Sequence, residues 1–175
     1  MVIVSKVLRQ HYGGKLPLNT TKLNAQLNAM LLALRLPGGR WDAGLLLTTD
    51  KHINFLNKTH RGKDKSTDIL SFPNYKVEVP GVLPAVRSES ARYLGDMFLS
   101  VPYIEAYCRD NETTLDERMP ILVGHGLCHL MGYDHETDED FATMSEREDA
   151  LLADYVRHLP SQYRRTKSRS NNNDI

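Results

Sequence analysis

A chain of 175 residues, with 41% hydrophobic and 25% charged residues, has the length and composition of one soluble globular domain with its own core. No apolar run approaches the ~18 residues that a membrane-spanning helix needs, which excludes a spanning protein. Basic and acidic residues are equal in number, 22 of each, so the overall charge gives no indication of a nucleic-acid partner.

The first part of the chain alternates strand and helix patterns. β-Branched and polar residues mix over Val2–Leu8 and predict an opening strand. Thr20 or Thr21 can cap a helix that ends before Pro37, and its apolar side chains share one face: Leu23, Leu27, Met30, Leu31 and Leu34. The short apolar run Ala43–Thr49 predicts a second strand.

The residue pattern in the middle of the chain predicts a helix, two strands and a long loop. Asp50 offers an N-cap to a short helix. The run Thr67–Phe72 predicts a third strand, and Leu94–Val101 predicts a fourth. Between these two strands, residues 74–92 have no hydrophobic period and contain two prolines, which indicates a long surface loop.

Three more helices follow the last strand. Pro102 can occupy the first position of a helix that runs to about Arg109. Thr114 and Glu117 form a capping-box pattern before an apolar-periodic run that Gly132 ends. Pro120 lies inside that run, which predicts either a kink or a later start of the helix.

The C-terminal part predicts one helix and a tail. The helix covers roughly Thr137–His158, and the residues beyond Pro160 are nearly all polar, which predicts disorder. We therefore expect one domain over residues 1–160 and a disordered basic tail over 161–175. Four strands interleaved with helices indicate a layered α/β or α+β fold.

Three histidines near the end of the fourth predicted helix and just after it form the clearest chemical pattern. His125 and His129 are four residues apart, so their imidazoles project from one helix face about one turn apart. Gly132 allows the chain to turn back, and His135 can then supply a third ligand from the loop. Three neutral nitrogens around one zinc ion leave a fourth position open for water, as in catalytic zinc sites.

The residues beside these histidines limit the class of zinc enzyme and the set of possible metal ligands. Zinc proteases of the His-Glu-x-x-His type have a general-base glutamate after the first histidine, whereas this chain has Gly126, which disfavours protease chemistry. Cys128 points elsewhere on the helix than its neighbour His129, so we expect a core thiol rather than a ligand. Asp134 can either orient a ligand imidazole or cap the following helix, and the sequence leaves both open.

A second cluster combines positive charge with a glycine. Arg61, Lys63 and Lys65 stand in a segment that contains Gly62 and leads into the third predicted strand. A guanidinium can bind a phosphate with two hydrogen bonds and stabilise charge that develops during phosphodiester cleavage. Taken alone, such a segment is also typical of a solvated charged loop.

Charge is also unevenly distributed along the chain. No acidic residue precedes Asp42, whereas nine carboxylates stand against Arg147 alone between Asp134 and Asp154. This segregation fits a basic face for an anionic partner or, equally, a solvated helix face and a loose tail.

The two segments together resemble the YbeY family of single-domain, zinc-dependent endoribonucleases. The family signature His-Gly-x-x-His-Leu-x-Gly-Tyr-Asp-His is matched at every position of residues 125–135. The family segment Tyr-Arg-x5-Thr-Asp-Val-Leu-Ser-Phe-Pro is similar to residues 60–73, with His60 in place of the tyrosine. Residues 94–97, Leu-Gly-Asp-Met, are similar to the family's Leu-Gly-Asp-Ile.

The resemblance implies a fold, an activity and roles for single residues. It implies a four-stranded mixed sheet packed with about five helices. His125, His129 and His135 are then the ligands of one Zn²⁺, with Arg61 and His125 in catalytic roles. The implied activity is cleavage of single-stranded RNA in rRNA processing, at the 3′ end of small-subunit rRNA, and in ribosome quality control. The implied partners are RNA and the small ribosomal subunit, through a ribosomal protein, and no membrane.

The same resemblance leaves the compartment and two other functions open. The long 74–92 loop is similar to eukaryotic members, which work in mitochondria or plastids, so we expect a mitochondrial location in a eukaryote and a cytoplasmic one in a bacterium. The acid-free start is compatible with an organellar signal, although it overlaps the first predicted strand and helix. The alternatives are a non-enzymatic small-subunit assembly factor with a structural zinc and a zinc hydrolase with another substrate.

Overall fold

The computed structural model describes residues 1–164 and confirms a four-stranded mixed sheet with helices packed on it. The strands are β1 (Val2–Val4), β2 (Asp42–Thr48), β3 (Ile69–Pro73) and β4 (Tyr93–Ser100). The helices are α1 (Lys6–His11), α2 (Thr20–Ala33), α3 (Asp50–Arg61), α4 (Val101–Asp110), α5 (Leu115–Leu130) and α6 (Asp138–Asp154). Short 3-10 turns occupy Glu89–Ala91, Tyr155–His158 and Ser161–Tyr163.

The strands are ordered β1-β2-β4-β3 across the sheet. β1, β2 and β4 run parallel, whereas β3 pairs antiparallel with β4 and forms one edge. Pro73 ends β3, and proline is tolerated there because an edge strand has unpaired N–H positions. This edge is close to both clusters that the sequence singles out, since the basic segment precedes β3 and α5 packs against it.

The main core lies between one face of the sheet and helices α2 and α5. Strand alternation and register place four fully buried side chains on this face: Leu45, Leu47, Met97 and Leu99. The apolar residues of α2 and α5 complete the cluster. Burying one such side chain contributes about 1.5–3 kcal/mol, so this layer provides a rigid support for α5.

Helix α3 packs on the opposite face of the sheet. Phe72 and Phe98 point to this face, and the ring of His60 meets Phe72 edge-on at 5.0 Å between centroids. His52 meets Phe98 in the same way at 6.1 Å. Helices α3 and α5 therefore lie on the two sides of β3 and β4.

The N-terminal part differs from the prediction because of a helix cap. The predicted strand Val2–Leu8 is wrong beyond Val4, since the Ser5 side chain accepts a hydrogen bond from the Leu8 N–H and begins α1. The N-cap of α3 is Thr49 rather than Asp50, whose carboxylate accepts a hydrogen bond from the Ser100 hydroxyl.

The predicted boundaries hold better in the C-terminal half. The capping box at Thr114 is confirmed, and α5 begins at Leu115 rather than after Pro120. Helix α6 and the 3-10 turn that follows it cover nearly the predicted helical span. Of the predicted disordered tail, residues 161–163 form a 3-10 turn, and residues 165–175 lie outside the described residues. None of the helices within residues 1–164 is long and apolar enough to cross a lipid bilayer.

Candidate metal centre

The three histidines predicted as ligands lie together in the structure. His125 and His129 project from one face of α5, and His135 reaches the same place from the loop before α6. One ligand nitrogen from each of the three lies within 4.8 Å of the other two. The Nε2 atoms of His125 and His129 are 3.1 Å apart. His125 and His129 are half-buried and His135 is exposed, so the cluster opens to solvent on one side.

Hydrogen bonds at Nδ1 fix the tautomers of the two helical histidines. Nδ1 of His125 lies 2.8 Å from Oε1 of Glu148, and Nδ1 of His129 lies 3.0 Å from the carbonyl oxygen of Tyr133. A carbonyl oxygen accepts only, and an ionised carboxylate does the same, so each Nδ1–H donates. Each neutral ring then has its lone pair on Nε2, directed at the other ligand nitrogens.

The charge state of His129 suits a ligand. Burial, followed by an unfavourable electrostatic interaction with the neighbouring His125, lowers the pKa of His129 to about 4. The ring is therefore neutral at pH 7 and free to donate its lone pair.

The donor set fits a metal ion. Two Nε2 lone pairs that face each other at 3.1 Å repel unless a cation lies between them. Tetrahedral zinc with bonds of 2.0–2.1 Å separates two ligand nitrogens by about 3.3 Å, close to the observed spacing. Within residues 1–164 the cluster supplies three nitrogens, so a tetrahedral ion held by them would have its fourth coordination position open.

Helix α5 is held in place at several points along its length. The capping box at Thr114 fixes its beginning. Arg118 reaches Asp68, at 3.4 Å, and its guanidinium lies 4.5 Å from the centre of the Tyr107 ring. Gly126 lies directly against the sheet, since a Cβ built there would come within 2.5 Å of Met97 Sδ and 2.7 Å of Ile69 Cδ1. A glutamate at position 126 would therefore enter the core.

The exit turn of α5 is held by the segment 74–92, which the sequence predicts only as a loop. The N–H of Gly81 donates to the carbonyl of Met131 at 2.9 Å. Val77 packs on Gly132, whose φ of +84° and close contact both favour glycine. The Tyr133 hydroxyl lies against Gly81. This segment therefore supports the turn that carries the Tyr133 carbonyl to His129.

The basic residues of the second cluster do not belong to the metal cluster. Arg61 is the last residue of α3 and is exposed, and its guanidinium forms no hydrogen bond or ion pair within residues 1–164. Lys63 and Lys65 are also exposed, in the segment after Gly62. Arg61 is carried by α3, on one side of the edge strand β3, whereas His125 and His129 are carried by α5, on the other side.

Two groups that contact the histidines have no signal in the sequence, and the structure also shows the contacts of Asp134 and Cys128. Glu148 lies 23 residues after His125, on another helix, and the Tyr133 carbonyl belongs to the backbone, so no local pattern indicates either. Asp134 accepts from the His135 backbone N–H at 2.8 Å, while Thr137 caps α6. Cys128 is buried, and burial, followed by the charge of Glu148, raises the pKa of its thiol to about 12.

Comparisons with known proteins identify relatives of this chain. The family model described as Endoribonuclease YbeY matches residues 18–156. The human Endoribonuclease YbeY is 34% identical over 113 residues, 65% of this chain and 67% of that protein. The Rhodopseudomonas palustris protein of the same name is 38% identical over 116 residues, 66% of this chain and 57% of that one. The Sulfurihydrogenibium protein is 42% identical over 101 residues, 58% of this chain and 60% of that one.

A solved structure has the same fold. The solution structure of a Thermotoga maritima protein superimposes with a TM-score of 0.51 at 19% sequence identity. The superposition covers 96% of this chain and 98% of that one. At this identity the likeness concerns the fold alone.

Proposed function

Because this chain belongs to the YbeY endoribonuclease family, we propose that it is a zinc-dependent endoribonuclease that cleaves single-stranded RNA. The observation that carries the proposal is the convergence of the His125 and His129 Nε2 lone pairs beside the exposed His135. This arrangement is a donor set with one open position, which is typical of catalytic rather than structural zinc. Nickel and iron(II) also bind imidazoles, so elemental analysis of the purified protein tests the choice of zinc.

The residues of the chain have distinct proposed roles. His125, His129 and His135 hold the ion, which when bound supplies Lewis-acid chemistry at the scissile phosphate. Glu148 and the Tyr133 carbonyl keep the two helical imidazoles in the ligating tautomer. The exposed guanidinium of Arg61 binds the phosphodiester and neutralises the charge that develops on it. The nucleophile is water or the ribose 2′-hydroxyl.

A cleavage assay tests the activity. Zinc-loaded protein is incubated with labelled small-subunit rRNA fragments and, separately, with a casein-type peptide. We expect cleavage of the RNA alone, its loss in His129→Ala, and no change in His11→Ala, an exposed histidine outside the cluster. RNA cleavage that persists in His129→Ala rules out the metal mechanism. Products that end in a 2′,3′-cyclic phosphate assign the nucleophile to the ribose, and products with a 5′-phosphate assign it to water.

Substitution of Arg61 separates metal binding from RNA turnover. Arg61→Ala removes a side chain outside the histidine cluster, so we expect an unchanged zinc content and loss of RNA turnover. The matched control is Arg109→Ala, which removes another exposed guanidinium. Loss of zinc in Arg61→Ala contradicts this division of roles.

The proposed biological setting is rRNA maturation. We propose that the chain acts near the 3′ end of small-subunit rRNA and in ribosome quality control, and that it contacts a small-subunit ribosomal protein. The compartment is mitochondrial in a eukaryotic cell and cytoplasmic in a bacterium. Co-sedimentation of the tagged protein with small subunits from the matching compartment tests this setting. Co-sedimentation without RNA cleavage by the zinc-loaded protein favours the alternative, an assembly factor with a structural zinc.

A further inference from the structure

Helix α3 presents an exposed stripe of basic and aromatic side chains. Lys51, Phe55 and Lys58 are spaced four and three residues apart and lie on one helix face. All three are exposed, and Phe55 is 61% exposed although it is a large apolar residue. Ile53 and Asn57 are buried on the other face of the helix. Packing within residues 1–164 therefore does not explain the outward position of Phe55.

Positive charge continues beyond the end of this stripe. Residues 51–65 contain five lysine or arginine side chains and one carboxylate, in a chain whose net charge is zero. That carboxylate, Asp64, is paired with Lys58 at 2.6 Å. The neighbouring Asp50 is engaged by the hydroxyl of Ser100. We refer to Lys51, Phe55, Lys58 and Arg61 as the α3 track; His60, the residue before Arg61, projects from the sheet-facing side of the helix.

The edge strand β3 connects the α3 track to the histidine cluster. On one side of the strand, Phe72 is in contact with the ring of His60. On the other side, Ile69 lies against Gly126, the residue next to His125. Among residues 1–164, β3 is the last strand of the sheet, and its outer edge pairs with no other strand. An extended polymer can cross this edge between the track and the cluster.

The opposite approach to the cluster is negatively charged. Nine carboxylates stand against Arg147 alone from Asp134 to Asp154, and this segment forms the loop after His135 and helix α6. A polyanion that reaches the histidines from this side is repelled, whereas the α3 side attracts it.

From these observations we propose that the α3 track binds single-stranded RNA and leads it across β3 to the histidine cluster. The inference rests on the proposed function and names the surface that recruits its substrate. Base stacking on an exposed aromatic ring combined with lysine–phosphate pairing is the usual chemistry of sequence-tolerant single-strand binding. Phe55 stacks a base, Lys51 neutralises one flanking phosphate, and Lys58 leaves its exposed and therefore weak pair with Asp64 to neutralise another.

A binding measurement tests the track independently of cleavage. Zinc-loaded full-length protein is titrated into a fluorescein-labelled 2′-O-methyl uridine dodecamer, whose integrity is checked on a gel, and anisotropy is recorded. We expect Phe55→Ala to weaken binding roughly 5- to 100-fold, which corresponds to loss of one stacked base. Phe55→Trp restores affinity. The matched control is Phe141→Ala on the acidic helix α6, where Phe141 is 62% exposed, and it leaves affinity unchanged.

The salt dependence of binding tests the lysines. In Lys51→Glu/Lys58→Glu, we expect the slope of log affinity against log salt concentration to decrease in magnitude by about 1.4, the value for two lost phosphate contacts on a single strand. Circular dichroism melting of each variant verifies that the fold is intact.

The possible outcomes separate the track from the proposed activity. Equal RNA affinity of wild type, Phe55→Ala and the double lysine variant overturns the track, even if the RNA cleavage assay succeeds. Loss of affinity in these variants supports the track, even if wild type does not cleave RNA and the proposed activity fails. If RNA affinity is unchanged while binding to RNA-free small-subunit ribosomal proteins is lost, the surface is a protein-docking site and the track is overturned.

Discussion

Glu148 controls the donor properties of His125 although it lies on another helix. Its carboxylate accepts the Nδ1–H and leaves Nε2 free for a metal ion. We predict that Glu148→Ala lowers zinc affinity about 10- to 100-fold, as loss of such carboxylate partners does in other zinc sites. Competition with a chromophoric zinc chelator measures the change.

Two variants serve as controls for Glu148. Glu148→Gln retains an acceptor oxygen, so we expect a smaller loss of affinity than in Glu148→Ala. Glu146→Ala removes an exposed carboxylate from the same helix, and we expect it to leave zinc affinity unchanged. Equal zinc affinity in Glu148→Ala and wild type contradicts the positioning role.

Gly126 provides a stability test at a single position. In Gly126→Ala, the added methyl group meets Met97 and Ile69 at less than 3.0 Å, so we predict a loss of about 1–3 kcal/mol in the free energy of unfolding. Gly124→Ala on the same helix is the control, because its methyl group makes an ordinary contact with Leu152 at 3.5 Å. We expect this control to be neutral or stabilising, since alanine favours helix. Urea unfolding measures both, and equal midpoints refute the close approach of α5 to the sheet.

At the scale of elements, the segment 74–92 is a structural part of the metal centre. Gly81→Ala places a methyl group within 2.6 Å of the Tyr133 hydroxyl and strains a backbone with φ of +81°. We predict a severalfold loss of zinc affinity, because the exit turn of α5 shifts with Tyr133. Gly13→Ala is the matched control, since its φ is also positive, at +58°, but nothing lies within 4 Å of the added group. Equal zinc affinities of the two variants contradict the supporting role.

Features that are determined by residues close together in the sequence were predicted more accurately than the others. The capping box of α5 and the i, i+4 spacing of His125 and His129 are set by neighbouring residues, and the structure confirms both. The sequence did not predict helix α1 because this six-residue helix buries one side chain, Leu8, which is too few to give a helical period. Its N-cap, Ser5, also lies inside a strand-like pattern.

Features that depend on tertiary contacts could not be predicted from the sequence patterns. The partnership of Glu148 with His125 depends on how α6 packs on α5, and the contacts of Val77 and Gly81 depend on the path of an aperiodic segment. The composition of residues 74–92 indicates a loop correctly, but it carries no information about what the loop touches.

At the scale of the whole molecule, the extent of the hydrophobic core determines whether the protein stays folded when the metal is removed. The layer between the sheet and helices α2 and α5 is buried without any metal ligand. We predict that chelation leaves the protein folded, and that saturating zinc raises its Tm by roughly 5–10 °C. A zinc concentration 100-fold above Kd contributes about 2.7 kcal/mol. Calorimetry with EDTA and with zinc measures the shift, and unfolding on chelation indicates a structural zinc instead.

The all-histidine donor set has a consequence for oxidative stress. Zinc sites built from thiolates release their ion when peroxide oxidises the sulfur, since the thiolate is the reactive form. In this centre the nearest thiol, Cys128, is not a ligand, and its buried sulfur stays protonated. Imidazole nitrogens have no comparable oxidation step. Peroxide stress that releases many thiolate-bound zinc ions would therefore leave in place a zinc ion held by these three histidines.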